Sequence, residues 1–255
     1  MNIAIFYSIG AFGDCARHAI FTAIENNAVE KVKIFSKTLE TLEEPNWKSG
    51  CPGDLGEKLR TSPYAHKIEK INVDVTDEEQ VSKIDMKDID AVIAGLGNRQ
   101  IFLGERVANT GIKNIISRMK DEGIDRLVMM SSFGIKSKVS NDKPGMEWRV
   151  EGKIMGAIFK TLSRREYKDI KRAENEVFYS GLNYVICRPM GLGEGVTPVG
   201  KYWVQKKKFD DVLGPNVAKM DIGRFLANEA IEPTYEKVAV AVGGDPEDAY
   251  KSMSA

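Results

Sequence analysis

The feature that most constrains this chain is the regular alternation of short apolar runs with segments of helical period. Asn2–Tyr7 (NIAIFY), Val32–Phe35 (VKIF), Ile68–Val75 (IEKINVDV), Ile89–Ala94 (IDAVIA), Leu127–Met130 (LVMM), Tyr184–Cys187 (YVIC) and Val238–Val242 (VAVAV) each have the length and β-branched content of a strand. Between them, residues 14–27 set Ala16, Ile20, Ala23 and Ile24 at helical spacing, and Thr76–Glu79 opens a helix with a capping residue and an acidic first turn. Residues 101–121 supply Val107, Ile112, Ile115, Ile116 and Met119 for a buried helical face, and residues 146–180 read as mostly helical. Parallel strands need crossovers of this kind, so the pattern predicts an α/β fold with a doubly wound parallel sheet.

At 255 residues the chain suits one domain spanning 1–255, with 190–255 contributing a small C-terminal substrate-side extension. The stretch 39–66, broken by Pro45, Gly50, Pro52, Gly53, Gly56 and Pro63, reads as a loop with one short helix at most. Lys+Arg 37 against Asp+Glu 37 gives zero net charge, which argues against nucleic acid as a partner and for a small-molecule substrate. Cys15, Cys51 and Cys187 are odd in number and widely spaced, and with only His18 and His66 as imidazoles neither a disulfide framework nor a metal site is expected. No apolar run approaches the roughly 20 residues that span a bilayer, so a soluble, cytoplasmic monomer or homodimer with no membrane partner is expected.

In a doubly wound sheet the ligand lies outside the carboxyl ends of the strands, facing the first strand-to-helix turn. That turn is Tyr7-Ser8-Ile9-Gly10-Ala11-Phe12-Gly13. Two glycines three apart allow a pyrophosphate to approach the backbone closely, and the helix start offers it free N–H groups. Asp14 is a poor neighbour for such an anion. The second strand ends in Ser36-Lys37-Thr38, with no carboxylate to hold an unphosphorylated ribose. A cation between two hydroxyls suits a 2′-phosphate, so NADP(H) is expected over NAD(H).

Four segments, IAIFYSIGAFG from Ile3, VIAGLGN at 92–98, RLVMMSSFGI at 126–135 and KRAENEVFYSGLNYVICRPMGL at 171–192, together resemble the atypical short-chain dehydrogenase/reductases. The likeness is to their NmrA-like and biliverdin reductase B (flavin reductase) branches, which have a Rossmann-type fold. The resemblance implies Ile9, Gly10, Ala11, Phe12 and Gly13 at the pyrophosphate and Ser36 and Lys37 at the 2′-phosphate. It also implies Asp74 and Val75 at the adenine, Gly95, Leu96, Gly97 and Asn98 along the ribose with Ser131 nearby, and main-chain groups of Pro189, Met190 and Gly191 behind the nicotinamide. One position departs from the family: Tyr7 stands where its turn begins with glycine, so the phenol either turns outward or narrows the phosphate cradle.

Tyr167 and Lys171 form a Tyr-x-x-x-Lys pair, which places both on one helical face. A phenol of pKa about 10 works as an acid or base near neutrality when a cation lowers it, and Lys171 could also hold the nicotinamide ribose. The pair stands just before Arg172-Ala173-Glu174, the register at which members of the resembled family keep theirs. A serine after the fifth strand, Ser131 or Ser132, would bind the acceptor oxygen, and Ser132 is preferred. Phe133, Met190 and Trp203 are candidates for an apolar substrate wall, and residues 136–166 for a lid. The expected activity is an NADPH-dependent reductase that moves hydride to a carbonyl, flavin or other conjugated acceptor. The competing expectation is an NmrA-like sensor that binds NADP and acts through a protein partner without catalysis.

Overall fold

β1 (Asn2–Tyr7) is buried from Ile3 onward, because an unbroken apolar run can be covered on both faces at the centre of a parallel sheet. β2 (Lys31–Ser36) and β3 (Ile68–Asn72) extend the sheet on one side of it. β4 (Ala91–Gly95), β5 (Arg126–Met130), β6 (Asn183–Pro189) and β10 (Val238–Gly243) extend it on the other, and β8 (Trp203–Gln205) closes that edge. The order is β3-β2-β1-β4-β5-β6-β10-β8, all parallel except β8, which runs antiparallel to β10. β7 (Gly191–Gly193) and β9 (Asn216–Ala218) pair separately, in parallel. This computed structural model describes residues 1–8, 10–42, 59–97, 107–133, 135, 137–139, 164–193, 200–205, 213–214 and 216–245.

Helices cover both faces. α1 (Ala11–Glu25) and α5 (Lys219–Ile231) pack on the face carrying Ile5, Ile34, Ile93, Val128 and Val240. Against the other face, which carries Phe6, Phe35, Val92, Leu127 and Ile186, lie α2 (Glu78–Lys83), α3 (Val107–Asp121) and α4 (Arg164–Ser180). Phe6 and Phe35 stack there with ring centroids 4.5 Å apart. α1 and α5 approach so closely that a Cβ on Gly223 would lie 2.4 Å from the Cβ of His18. The far end of α5 is tied to β5 by a buried pair, Arg126 Nη2 to Glu229 Oε2 at 2.9 Å. The winding reverses between β1 and β4, which fixes the ligand crevice at their carboxyl ends.

The Rossmann-type sheet expected from the sequence is present. β3 ends at Asn72 rather than Val75, because Asp74 and Thr76 fold into a turn that leads to α2. α5, β7, β8 and β9 were not anticipated. The last three have three residues each, too few to show a period, and Gly223 interrupts the apolar stripe of α5. α3 and α4 are described from Val107 and Arg164; the earlier parts of the expected helices lie outside the described residues.

Candidate functional site

The first turn is built to leave backbone donors open. Gly10 caps α1 at φ 107°, a conformation that glycine adopts freely, and no side chain caps the helix. The first ladder bond is Asp14 N–H to Gly10 O at 2.9 Å, so the N–H groups of Ala11, Phe12 and Gly13 lie outside the helical ladder. Gly13 allows the tight approach: a Cβ there would sit 1.5 Å from Ser8 O. Ser8 joins this turn to the one after β4, its hydroxyl donating to Gly97 O (2.6 Å) and accepting from Gly97 N–H (2.8 Å). Phe12 packs over Gly97, where a Cβ would lie 3.0 Å from its ring, and Leu96 turns its side chain into the core. A cradle lined by backbone and closed to any Cβ fits a pyrophosphate.

Two expectations about this turn change. Tyr7 neither points outward nor narrows the cradle; it is buried in the core and donates its hydroxyl to Thr38 O at 3.0 Å. Asp14 is neutralised: Lys219 Nζ of α5, itself buried, lies 3.0 Å from Asp14 Oδ2, and Arg17 Nη1 lies 3.4 Å from Oδ1. Ile9 and Asn98 lie outside the described residues.

At the end of β2, Lys37 is exposed and its Nζ lies 2.8 Å from Asp74 Oδ2. Asp74 Oδ1 accepts from the N–H (2.9 Å) and hydroxyl (2.7 Å) of Thr76. Burial works to raise the Asp74 carboxyl, but the hydrogen bonds from Lys37 and Thr76 prevail and hold it below the ordinary carboxylate range. Lys37 and Thr76 thus hold the Asp74 side chain, which is 28% exposed. The side chain of Val75 packs in the core against Gly111 of α3. Ser36 is buried beside Thr38, with its Oγ 3.1 Å from Thr38 Oγ1 and accepting from Thr38 N–H at 3.1 Å. Of Ser36, Lys37, Asp74 and Val75, Lys37 has the most exposed side chain.

The second half of the site lies at the carboxyl ends of β5 and β6. Ser132 and Tyr167 converge: the Ser132 hydroxyl donates to Tyr167 Oη at 3.5 Å, and Tyr167 in turn donates to Phe133 O at 3.4 Å. Burial raises the Tyr167 phenol above its usual value, the Ser132 hydrogen bond pulls it down, and the charge of Glu166 adds to the rise. Lys171 is exposed. The expected depression of the phenol is thus not what this environment produces.

Ser131 is fully buried and gives its hydroxyl to Glu174 Oε1 at 2.5 Å, so its side chain faces the interior rather than a cofactor. Glu174 is also held by Arg188, through Nε to Oε1 (2.9 Å) and Nη2 to Oε2 (2.6 Å). Arg188 reaches on to Ser137 Oγ at 3.1 Å. This buried trio locks α4 to β5 and β6 directly behind Ser132 and Tyr167. Asp169, between Tyr167 and Lys171, accepts from Ala108 N–H at 3.0 Å and so ties α4 to the first turn of α3. Neither anchor was anticipated. Each partner comes from a different element, and nothing local in the sequence pairs them.

Pro189 O accepts from Phe133 N–H (3.1 Å) and Met190 N–H donates to Val242 O (2.8 Å), so these main-chain groups hold strands together; the neighbouring Gly191 is exposed. Met190 and Phe133 meet as expected, packed with Leu213 and Ala241. Trp203, on the edge strand β8, is paired with Gly243, where a Cβ would lie 2.7 Å from Leu213 and 3.1 Å from Met190, so its backbone stands beside this cluster. Most of the expected lid, 136–166, lies outside the described residues.

The chain resembles known proteins along most of its length. A model of the NAD(P)H-binding family matches residues 56–233. An uncharacterized chloroplastic protein of Arabidopsis thaliana is 25% identical over 283 residues, covering 99% of this chain and 94% of the relative. A short-chain dehydrogenase/reductase (wide type) from Veillonella parvula in complex with NADP shares the fold at TM-score 0.64 and 17% identity, with 95% and 94% of the two chains covered. The anaerobilin reductase ChuY from Escherichia coli O157:H7 does so at TM-score 0.64 and 16% identity, with 96% and 97% covered.

Proposed function

The chain belongs to the NAD(P)H-binding family, and from that premise we propose that it is an NADPH-dependent reductase of the atypical short-chain type, acting in the cytoplasm on a small carbonyl, flavin or other conjugated acceptor. One observation carries this reading: the 3.5 Å approach of Ser132 Oγ to Tyr167 Oη, on the same edge of the sheet as the Gly10–Gly13 cradle. A bound NADPH supplies the hydride. The N–H groups of Ala11, Phe12 and Gly13 bind the pyrophosphate, and Lys37 binds the 2′-phosphate. Ser132 orients the acceptor oxygen. Tyr167, like any phenol protonated at neutral pH, gives its Oη proton to the oxygen or nitrogen that gains negative charge. Phe133 and Met190 form an apolar wall that limits water at the reacting centre.

The exposure of Lys171 and the burial that raises the Tyr167 phenol favour a second reading, an NmrA-like NADP sensor that works through a protein partner. Tyr167→Phe separates the two. A reductase of this mechanism loses most acceptor-dependent NADPH oxidation while still binding NADPH. Undiminished oxidation removes Tyr167 from the mechanism, and binding with no acceptor ever reduced favours the sensor.

A further inference from the structure

We propose that Asp74 sets how far this site prefers a 2′-phosphorylated cofactor over an unphosphorylated one, an inference that rests on the dinucleotide reading of the cradle. In this fold class a carboxylate at the end of the second strand accepts from the ribose hydroxyls, whereas a cation there takes a 2′-phosphate. Here both are present. The cation, Lys37, follows β2; the carboxylate, Asp74, arrives from the turn after β3 and lies 2.8 Å from it. Their side chains are 47% and 28% exposed, so the pair is open to a ligand.

The two groups are not equally free to move. Asp74 is held by two donors from Thr76, and the backbone beside Lys37 is fixed by Tyr7 Oη to Thr38 O, Thr38 N–H to Ser36 Oγ, and Val73 N–H to Ser36 O. The flexible part is the Lys37 stem. A 2′-phosphate must draw Nζ away from Asp74 and accept the fixed carboxylate as a like-charged neighbour. A 2′-hydroxyl instead donates to Asp74 Oδ2 and leaves the ion pair in place. Lys37 therefore favours NADPH, Asp74 tempers that preference, and the two cofactors bind within a modest ratio of each other.

The test is calorimetric titration of the full chain and its variants with NADPH and with NADH. Asp74→Asn keeps an oxygen for Thr76 but removes the charge, so the NADPH:NADH affinity ratio is expected to rise about tenfold. Lys37→Met is expected to lower the ratio by a similar factor, with NADH binding retained through Asp74. Both cofactors share everything but the phosphate, so the ratio does not respond to a general loosening of the fold. A ratio unchanged or lowered in Asp74→Asn, with both cofactors still binding, overturns the role of Asp74 and leaves the cofactor reading intact. Wild-type protein that binds neither cofactor overturns both.

Discussion

Single residues divide into those whose surroundings force their role and those that chemistry alone suggests. Gly13 is forced: a methyl group at 1.5 Å from Ser8 O cannot be absorbed without moving the turn. Gly13→Ala is expected to abolish NADPH binding in calorimetry and to cost at least the roughly 1–3 kcal/mol of ordinary overpacking in denaturant unfolding. The two serines after β5 should also separate. Ser131→Ala removes a donor from a buried carboxylate and is expected to lower stability by about 1–3 kcal/mol with turnover largely retained, whereas Ser132→Ala should lower turnover with little change in the unfolding midpoint.

A pH–rate profile tests Tyr167. Only the protonated phenol can donate, and burial raises its pKa, so activity should stay flat through neutrality and fall only above about 10. A Tyr-dependent loss setting in near neutral pH would contradict this environment. At this scale the sequence carried the backbone chemistry of the Gly-x-x-Gly turn, which depends on local spacing, whereas the pairing of Ser132 with Tyr167, 35 residues apart, was expected from the family resemblance. It did not carry the directions of Ser131, Asp74 or Tyr7. Each is held by a partner more than thirty residues away in the chain, Glu174, Lys37 and Thr38 respectively.

Among elements, the contact of α1 with α5 bears most directly on the cradle. Asp14 stands in the first turn of the helix that should face a pyrophosphate, and Lys219 at the start of α5 neutralises it. Lys219→Met is expected to weaken NADPH binding about fivefold to tenfold by removing the nearer of the two cations that face Asp14 and leaving Arg17 alone to offset it. The double variant with Asp14→Asn should restore most of that loss, which would not follow if Lys219 served only to pack α5. The major strands and helices were legible as periods and apolar runs. α5 was not, although Ile222, Phe225, Leu226 and Ala230 are spaced helically, because Gly223 lies within their stripe. That glycine is explained by packing, since the backbone of α1 occupies the space its side chain would need.

For the molecule as a whole, winding order fixes where chemistry can occur: the cradle, the Lys37–Asp74 pair and the Ser132–Tyr167 pair all lie at the carboxyl edge of one sheet. Among the described residues no helix is long and apolar enough to cross a membrane. Asp74, Asp77 and Asp85 are held below the ordinary carboxylate range. For Asp74 burial opposes the lowering and hydrogen bonds from Lys37 and Thr76 outweigh it; for Asp77 the donor is Gln80, and for Asp85 it is Lys33. Their folded pKa values lie below their unfolded ones, so the stability they contribute is complete above the unfolded value of about 4 and is lost as pH falls through the folded values. Denaturant midpoints measured from neutral to acid pH should fall in that window, and a midpoint that rises there contradicts the assignment.

The most direct test of the central claim is NADPH oxidation by the purified chain against a panel of carbonyl, quinone and flavin acceptors, beside calorimetric binding of NADPH. Binding is expected together with acceptor-dependent oxidation that falls by about a hundredfold or more in Tyr167→Phe, the scale of a lost general acid. Tight NADPH binding with no oxidation by any acceptor would contradict that claim.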